Sequence, residues 1–535
     1  MGAILPRACD STLIERQANK GFDVAVAEVN GWRTDMEDAH LIWLRDDVGV
    51  FGVYDGHGGK DCSAFAARMI CKWLEEEGVP QDDAAWEKLF IEVDQAFLDS
   101  GMASGTTATM CVVHKPQNLG EKLKLHVINA GDSRTILGKA NGCIFDGGGT
   151  DKGLTRDHKP EDPEERRRIV KAGGTVENDR VNGNLSVSRG FGDRDCKETG
   201  GPGPDNRPVT CIPEQYHFEC DETDFVLLVC DGVSEGDFSN AEVVELVAEA
   251  LNGGKDAGIA ARYVCHKAID RNSKDNITCM VVRLQGVSEA IERHVEFIPG
   301  SISKLTHAGF RKAYAFMAGK AKLSLAEAVA GRYEVLQAEL KCEPSNSELT
   351  EEAKMLGTPC GAPGSDERLK WAEQWLEHHP EEAGGGGGPG GMDMEMLMNM
   401  LGKGGGKGGG PDIDMLRSIL GKGKGKRSDV ASSGGRGDSR TPEPEPRWFT
   451  TCCRRRDTPK VTSSRRAGEP PSRSISGPEV GDDVVVHGLA GAVELNGCRG
   501  RVLSFIEASD RFEVQLEGME GTKALKASNL RVNQD

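Results

Sequence analysis

Between residues 22 and 284 the chain alternates short runs rich in Val, Ile, Thr and Phe with longer stretches of helical hydrophobic spacing. The short runs predict strands over 23–29, 48–54, 106–114, 122–129, 134–139, 225–230 and 277–284. The longer stretches predict helices over 60–77, 83–100, 163–172, 240–251 and 257–271, several opened by Asp, Ser or Pro. Connections between consecutive strands are too short for a regular alternation of strand, helix and parallel strand. The fold class expected is therefore α+β, with mostly antiparallel sheets and helices packed outside them.

After residue 285 the pattern changes twice. Residues 286–380 have helical spacing, clearest over 324–340, and predict a helical extension or a small separate bundle. Residues 381–477 are low in complexity, and fourteen of the chain's 69 glycines fall between Gly384 and Gly410, which marks a disordered linker. Inside it Asp393-Met-Glu-Met-Leu-Met-Asn-Met-Leu-Gly-Lys-Gly404 matches Asp412-Ile-Asp-Met-Leu-Arg-Ser-Ile-Leu-Gly-Lys-Gly423. Each copy has the length of a two-turn amphipathic helix closed by glycine, too short to persist alone in water. Residues 393–423 are accordingly expected to order on a peptide or protein partner. Residues 478–533 return to short alternating runs, and Gly500-Arg-Val-Leu-Ser-Phe505 with Arg511-Phe-Glu-Val-Gln-Leu516 resembles a small SH3-like or KOW-like β-barrel. Its ligand is not legible, a peptide being one candidate.

Composition narrows the function classes. Lys plus Arg number 66 against 85 Asp plus Glu, a net charge of −19, which argues against a general nucleic-acid or anionic-membrane coat. No specific nucleic-acid partner is expected. Residues 403–473 run the other way, with seventeen Lys or Arg and eight Asp or Glu, and read as a flexible cationic linker. Sixteen Cys lie outside CxxC pairs and follow no secretory leader, so reduced thiols in the cytoplasm or nucleus are expected, without structural zinc or a disulfide framework. No apolar run approaches the roughly 20 residues that cross a bilayer. An acyl anchor at Cys452-Cys453, between Trp448-Phe449 and Arg454-Arg-Arg456, is the weaker reading, with a membrane-peripheral location as its consequence. Pro6 stands where an N-terminal myristoylation motif has Ser or Thr. A monomer is expected.

The acids of the first domain sit at strand ends. Asp55 ends Val-Gly-Val-Phe-Gly-Val-Tyr, Asp231 ends Phe-Val-Leu-Leu-Val-Cys, Asp132 follows His-Val-Ile-Asn-Ala-Gly, and Asp275 precedes Ile-Thr-Cys-Met-Val-Val. A carboxylate abutting a buried strand is costly unless neutralised, so four of them imply a shared cation. All-oxygen ligands suit Mg²⁺ or Mn²⁺ rather than zinc. Glu37 and Asp38 follow Arg33, whose planar guanidinium matches phosphate oxygens. Paired divalent ions activate water for in-line displacement at phosphorus. His57, two residues after Asp55, is placed to protonate a leaving alkoxide.

Arg33…Met36-Glu37-Asp38, Val53-Tyr54-Asp55-Gly56-His57-Gly58-Gly59, Ser104-Gly105-Thr106-Thr107-Ala108, Ala130-Gly131-Asp132-Ser133-Arg134, Ser188-Arg189-Gly190-Phe191-Gly192-Asp193, Cys230-Asp231-Gly232 and Lys274-Asp275-Asn276 together resemble the ordered motif set of the metal-dependent type 2C protein serine/threonine phosphatases, the PPM family. The resemblance covers residues 22–285, about half the chain. It implies a four-layer αββα sandwich of two antiparallel sheets flanked by helices, holding two Mn²⁺ or Mg²⁺ ions in a cleft. It also implies hydrolysis of phosphoserine and phosphothreonine in proteins by a metal-activated water, without a phosphoenzyme. By position, Asp55, Asp231 and Asp275 would hold the first ion, and Glu37, Asp55 and the carbonyl of Gly56 the second. Arg33 would bind phosphate, His57 would be the general acid, Asp38 would orient water, and Asp132 resembles the acid of a weaker third ion. The chain departs from the family at Asp231-Gly-Val-Ser-Glu235, where the family often has Asp in the last place.

Taken singly, Asp132-Ser-Arg reads as a turn and His57 as a satisfied loop histidine; only the set favours chemistry. Arg189 and Asp193 admit two readings, a flap over the cleft or a stabilised turn. Cys-x5-Arg, the signature of cysteine-dependent phosphatases, occurs at Cys62…Arg68 and Cys265…Arg271, both inside predicted helices and without a phosphate-binding glycine loop. The Gly-Lys runs near Gly402 lack the spacing of a nucleotide-binding loop. The rival function is a catalytically silent scaffold or targeting protein built on the phosphatase fold.

Overall fold

A computed structural model describes residues 4–382, apart from 117, 119 and 202, and parts of 483–532. The linker repeats, the Trp448–Arg456 segment and Gly2 lie outside the described residues. Two units separate by contact, one containing residues 4–382 and one containing the strands after 483.

The predicted strands, joined by Ala39–Leu44, Glu214–Cys220 and two flanking strands that the sequence reading missed, pair into two antiparallel sheets. The first runs, in order across the sheet, Ile291–Ile298, Ile4–Ala18, Asp23–Arg33, Ile277–Arg283, Phe225–Val229 and Arg134–Gly138. The second runs Glu214–Cys220, Leu123–Ala130, Ala108–His114, Val48–Tyr54 and Ala39–Leu44. Alternate residues on the central strands serve two cores. Val24 and Val26 meet Phe51, Val53 and Val113 between the sheets, where Phe22 and Phe51 make an edge-to-face contact with ring centroids 5.7 Å apart. Ala25, Ala27 and Val29 face outward under helices Asn240–Asn252 and Ala257–Asp270. Val50, Tyr54, Met110 and Val112 face outward under helices Asp61–Glu77 and Asp83–Asp99. Burial on both faces explains why these strands read as continuous apolar runs. Helix, sheet, sheet and helix form four layers.

The structure corrects the reading at both flanks of this region. Residues 286–380 are not wholly helical, because Ile291–Ile298 is a strand that pairs with Ile4–Ala18 at the edge of the first sheet. Its solvent side carries Glu292, His294 and Glu296, and that edge position weakens its hydrophobic signal. Ile4–Ala18 itself lies before residue 22 and escapes prediction because Asp10, Ser11, Thr12 and Glu15 interrupt its apolar pattern. Ser11, Thr12 and Glu15 are nonetheless buried. Four helices, Ala308–Lys320, Leu325–Cys342, Ser347–Leu356 and Asp366–His378, pack on Leu5, Cys9, Leu13 and Phe297.

The second unit is a five-stranded antiparallel sheet, in the order Thr522–Leu525, Arg511–Leu516, Arg499–Ile506, Asp483–Val486 and Leu530–Val532. Val484, Val486, Val502, Val514, Leu516, Leu525 and Leu530 form its core. Among the described residues its two edge strands do not pair, so a closed SH3-like barrel is not observed.

Candidate active site

Strand ends from both sheets converge on one acidic cluster. Asp55 and Gly56 follow Val48–Tyr54, and Asp132 follows Leu123–Ala130, both from the second sheet. From the first sheet, Asp231 follows Phe225–Val229 and opens the helical turn Asp231–Ser234, and Asp275 precedes Ile277–Arg283. Arg33 ends Asp23–Arg33, and Glu37 and Asp38 occupy the loop after it. Carboxylate oxygens of Asp55, Asp132 and Asp231 lie within 4.8 Å of one another, as do ligand atoms of Asp38, Asp55 and Cys230. Asp275 acts on Asp55 and Asp231 through its charge and pairs with Arg33. Glu37 stands beside Arg33 and His57. At Gly56 a Cβ would fall 2.2 Å from the Glu37 carbonyl oxygen, so only glycine lets these two segments touch.

Metal-free, this pocket is electrostatically unfavourable. Burial, then the charges of Asp132 and Asp275, pushes Asp231 up to about 7. Burial, opposed by the Thr278 hydrogen bond and reinforced by Asp275 and Glu28, pushes Asp38 up to about 8. Asp55 is raised well above the carboxylate range by burial and then by Asp231 and Asp38. Burial also raises Asp275 and Glu37. Asp38 Oδ1 and Asp231 Oδ1 are buried without a hydrogen-bond partner. Orphaned oxygens among crowded acids are what a divalent cation with oxygen ligands would satisfy. The donor set therefore fits a metal.

Neutral side chains hold the acids in place. The Asn276 Oδ1 accepts the Glu37 backbone N–H at 2.9 Å, while its Nδ2 donates to the Asn30 and Asp35 carbonyls at 2.8 and 3.0 Å, fixing the Arg33–Glu37 loop. The Thr278 hydroxyl donates to Asp38 Oδ2 at 2.6 Å. The Thr107 hydroxyl accepts the Asp55 N–H at 3.2 Å, and Ser63 donates to the Glu37 carbonyl. Sequence reasoning assigned no role to Asn276 and missed Thr278. It also missed Lys159, whose ammonium pairs with Asp132 and is close enough to Asp231 to act on it. Glu235 Oε2 is occupied by the Lys274 N–H at 2.7 Å and the Ser273 hydroxyl at 3.2 Å.

Asp193 lies 2.7 Å from His57 Nε2. Burial alone would favour neutral imidazole, but Asp193, helped by Asp132 and Glu37, raises the His57 pKa. Arg189 does something different: it pairs with Glu165 at 2.6 Å and Glu214 at 3.2 Å, joining a buried ion network with Arg168. Cys62 and Cys265 are buried within helices Asp61–Glu77 and Ala257–Asp270, and burial raises both thiols, the opposite of what a nucleophilic cysteine needs.

The family model described as Protein phosphatase 2C matches residues 22–277. Protein phosphatase 2C homolog 2 of Saccharomyces cerevisiae is 34% identical over 275 residues, covering 48% of this chain and 55% of its own length. Probable protein phosphatase 2C 5 of Paramecium tetraurelia is 30% identical, covering 49% of this chain and 93% of its own. Probable protein phosphatase 1N of Mus musculus is 33% identical, covering 52% and 69%. A solved phosphatase structure from a pathogenic strain of Toxoplasma gondii covers 54% of this chain and 100% of its own at 26% identity, with a TM-score of 0.47. With a matching family model, relatives at this identity and the acidic pocket between the sheets, the chain belongs to the protein phosphatase 2C family.

Proposed function

We infer that this chain is a metal-dependent serine/threonine phosphatase acting on phosphorylated proteins, with Asp55, Asp231 and Asp275 holding one Mn²⁺ or Mg²⁺ ion and Glu37, Asp55 and the Gly56 carbonyl a second. The observation that carries the metal dependence is the crowding of buried acids with orphaned oxygens, which no described basic residue fully neutralises. When bound, the ions supply positive charge that lowers the pKa of water and offsets the charge of the phosphate. Arg33 is partly exposed, and with Nε on the Lys274 carbonyl and Nη2 on Asp275 it has Nη1 to turn toward the phosphate oxygens. Asp38 Oδ1 is the free acceptor that orients the attacking water, while Oδ2 is held by Thr278. His57, whose protonated form Asp193 favours, would donate a proton to the departing serine or threonine oxygen.

Two ions rather than three agree with Lys159 already neutralising Asp132 and with Glu235 engaged by the loop before Asp275. The terminal sheet, read as a small SH3-like barrel, and the linker repeats would recruit substrate by tethering. A cytoplasmic or nuclear location belongs to the same reading, supported by free thiols among the described cysteines. The test is phosphate release from a phosphothreonine peptide with Mn²⁺ or Mg²⁺, with and without chelator, for wild type and Asp231→Asn. Metal-dependent release lost in the variant supports the reading; no release with metal favours the silent scaffold.

A further inference from the structure

On the far strands of the second sheet, His126 of Leu123–Ala130 and His217 of Glu214–Cys220 are direct cross-strand partners. Their side chains therefore share one face of the sheet. Their rings stack with centroids 4.3 Å apart at an interplanar angle of 24°. Both present Nε2 to the same oxygen: Asp83 Oδ1 lies 2.9 Å from His217 Nε2 and 3.4 Å from His126 Nε2. Asp83 is the first residue of helix Asp83–Asp99, whose N-cap is Asp82, so its carboxylate is not needed to cap the helix. The three ligand atoms all lie within 4.8 Å of one another.

We propose that Asp83, His126 and His217 form a second metal site, separate from the acidic pocket, that takes one late first-row divalent ion of the Zn²⁺ class. Two imidazoles and one carboxylate suit Zn²⁺, Ni²⁺ or Cu²⁺, whereas Mg²⁺ and Mn²⁺ prefer oxygen. Bonds of about 2.0–2.1 Å in tetrahedral geometry place ligand atoms about 3.3 Å apart, and the two distances to Asp83 bracket that value. The side chains of Asp83 and His217 are 54% and 60% exposed, leaving an open side for entry and for water. In the ion-free site His126 Nε2 faces only oxygen acceptors and carries the proton, which ligation of an ion at Nε2 would move to Nδ1. Gln215 Oε1 accepts the His126 Nε2–H at 2.9 Å, a bond that an ion at Nε2 would replace, while Gln215 Nε2 donates to the Asp83 carbonyl at 2.8 Å and holds the helix start beside the sheet.

A bound ion would clamp the start of helix Asp83–Asp99 to the edge of the sheet. That helix also carries Asp94, whose Oδ1 accepts the Gly192 N–H at 2.8 Å and the Lys197 ammonium at 2.7 Å, next to Asp193. The experiment is calorimetric titration of the full chain with Zn²⁺ in excess Mg²⁺, which keeps the oxygen-lined pocket occupied, for wild type, His217→Ala and Asp83→Asn. Both substitutions are at exposed side chains outside the acidic cluster and are expected to leave Mg²⁺-supported phosphatase activity unchanged. The expected result is one more equivalent of Zn²⁺ bound by wild type than by either variant, with a Zn²⁺-induced rise in unfolding temperature that the variants lack. Equal uptake and equal shifts in all three proteins would reduce the cluster to an ion pair and overturn the proposal.

Discussion

His57 Nε2 and Asp193 Oδ1 meet at 2.7 Å although 136 residues separate them along the chain. Asp193 sits on a segment held to helix Asp83–Asp99 through Asp94, so the packing of that helix helps place the carboxylate that favours the protonated form of His57. A general acid works only while protonated, and activity that depends on it falls as pH rises through its pKa. Asp193→Asn removes the main charge that raises the His57 pKa. The alkaline fall of kcat on a phosphothreonine peptide is expected to move to lower pH in this variant. An unmoved limb would separate Asp193 from the protonation of His57.

The acid role proposed for His57 also has a leaving-group signature. A serine or threonine alkoxide needs a proton as the P–O bond breaks, whereas an aryl oxide departs with little help. His57→Ala is expected to slow phosphopeptide hydrolysis by about 10²-fold or more, the usual scale of general acid catalysis. The loss on an aryl phosphate should be clearly smaller. Equal losses on both substrates would place His57 in positioning rather than proton transfer.

Crowded acids make the metal-free protein sensitive to alkali in the pH range where most proteins are stable. Asp231, ordinarily near 3.8, is raised to about 7, and Asp38 to about 8. Groups raised in the folded state contribute stability that is present below their unfolded pKa and is lost as pH climbs through the folded value. The unfolding temperature of chelator-treated protein is therefore expected to fall between about pH 4 and pH 8. Mn²⁺ should restore it most at the alkaline end, where the carboxylates are charged. Asp231→Asn should flatten the metal-free profile and gain less from Mn²⁺, as expected of a group that serves function at a cost in stability. A metal-free profile that rises over this range would contradict the crowding.

The legible and illegible parts of this structure differ by the range of the contacts involved. Val48–Tyr54 and the carboxylate that follows it were readable because a buried strand and its terminal acid are adjacent in sequence. The strand Ile4–Ala18 was not, since register irregularities near Cys9 let polar residues enter its buried face. Asp193 on His57, Lys159 on Asp132 and Asp83 between two cross-strand histidines depend on register and loop closure across tens of residues, which leave no local periodicity. Arg189 and Asp193, four residues apart, were indistinguishable in sequence, yet one joins a structural ion network and the other reaches the pocket.

Strand Ile291–Ile298 and the helices after it are structurally part of the unit that holds the acidic cluster, which makes a sharp prediction about truncation. Ending the chain at Gly286 would leave Ile4–Ala18 as an open edge strand and expose Leu5, Cys9 and Leu13. It would also strip Lys320 from Glu28 and Arg293 from Glu15, two acids that are almost wholly buried. Glu28 is held near 2 against burial by Lys320 and His40, and losing Lys320 leaves the buried carboxylate with His40 as its remaining charged partner, at a cost in stability. The chain ending at 286 is therefore expected to be insoluble or to unfold at markedly lower temperature, with correspondingly low activity. A chain ending at 382 retains the strand, all four helices and both ion pairs. Its unfolding temperature and its turnover of a short phosphothreonine peptide, which does not need tethering, should match the full chain. Equal stability of the two truncations would show that the strand and helices are accessory to the sandwich rather than part of it.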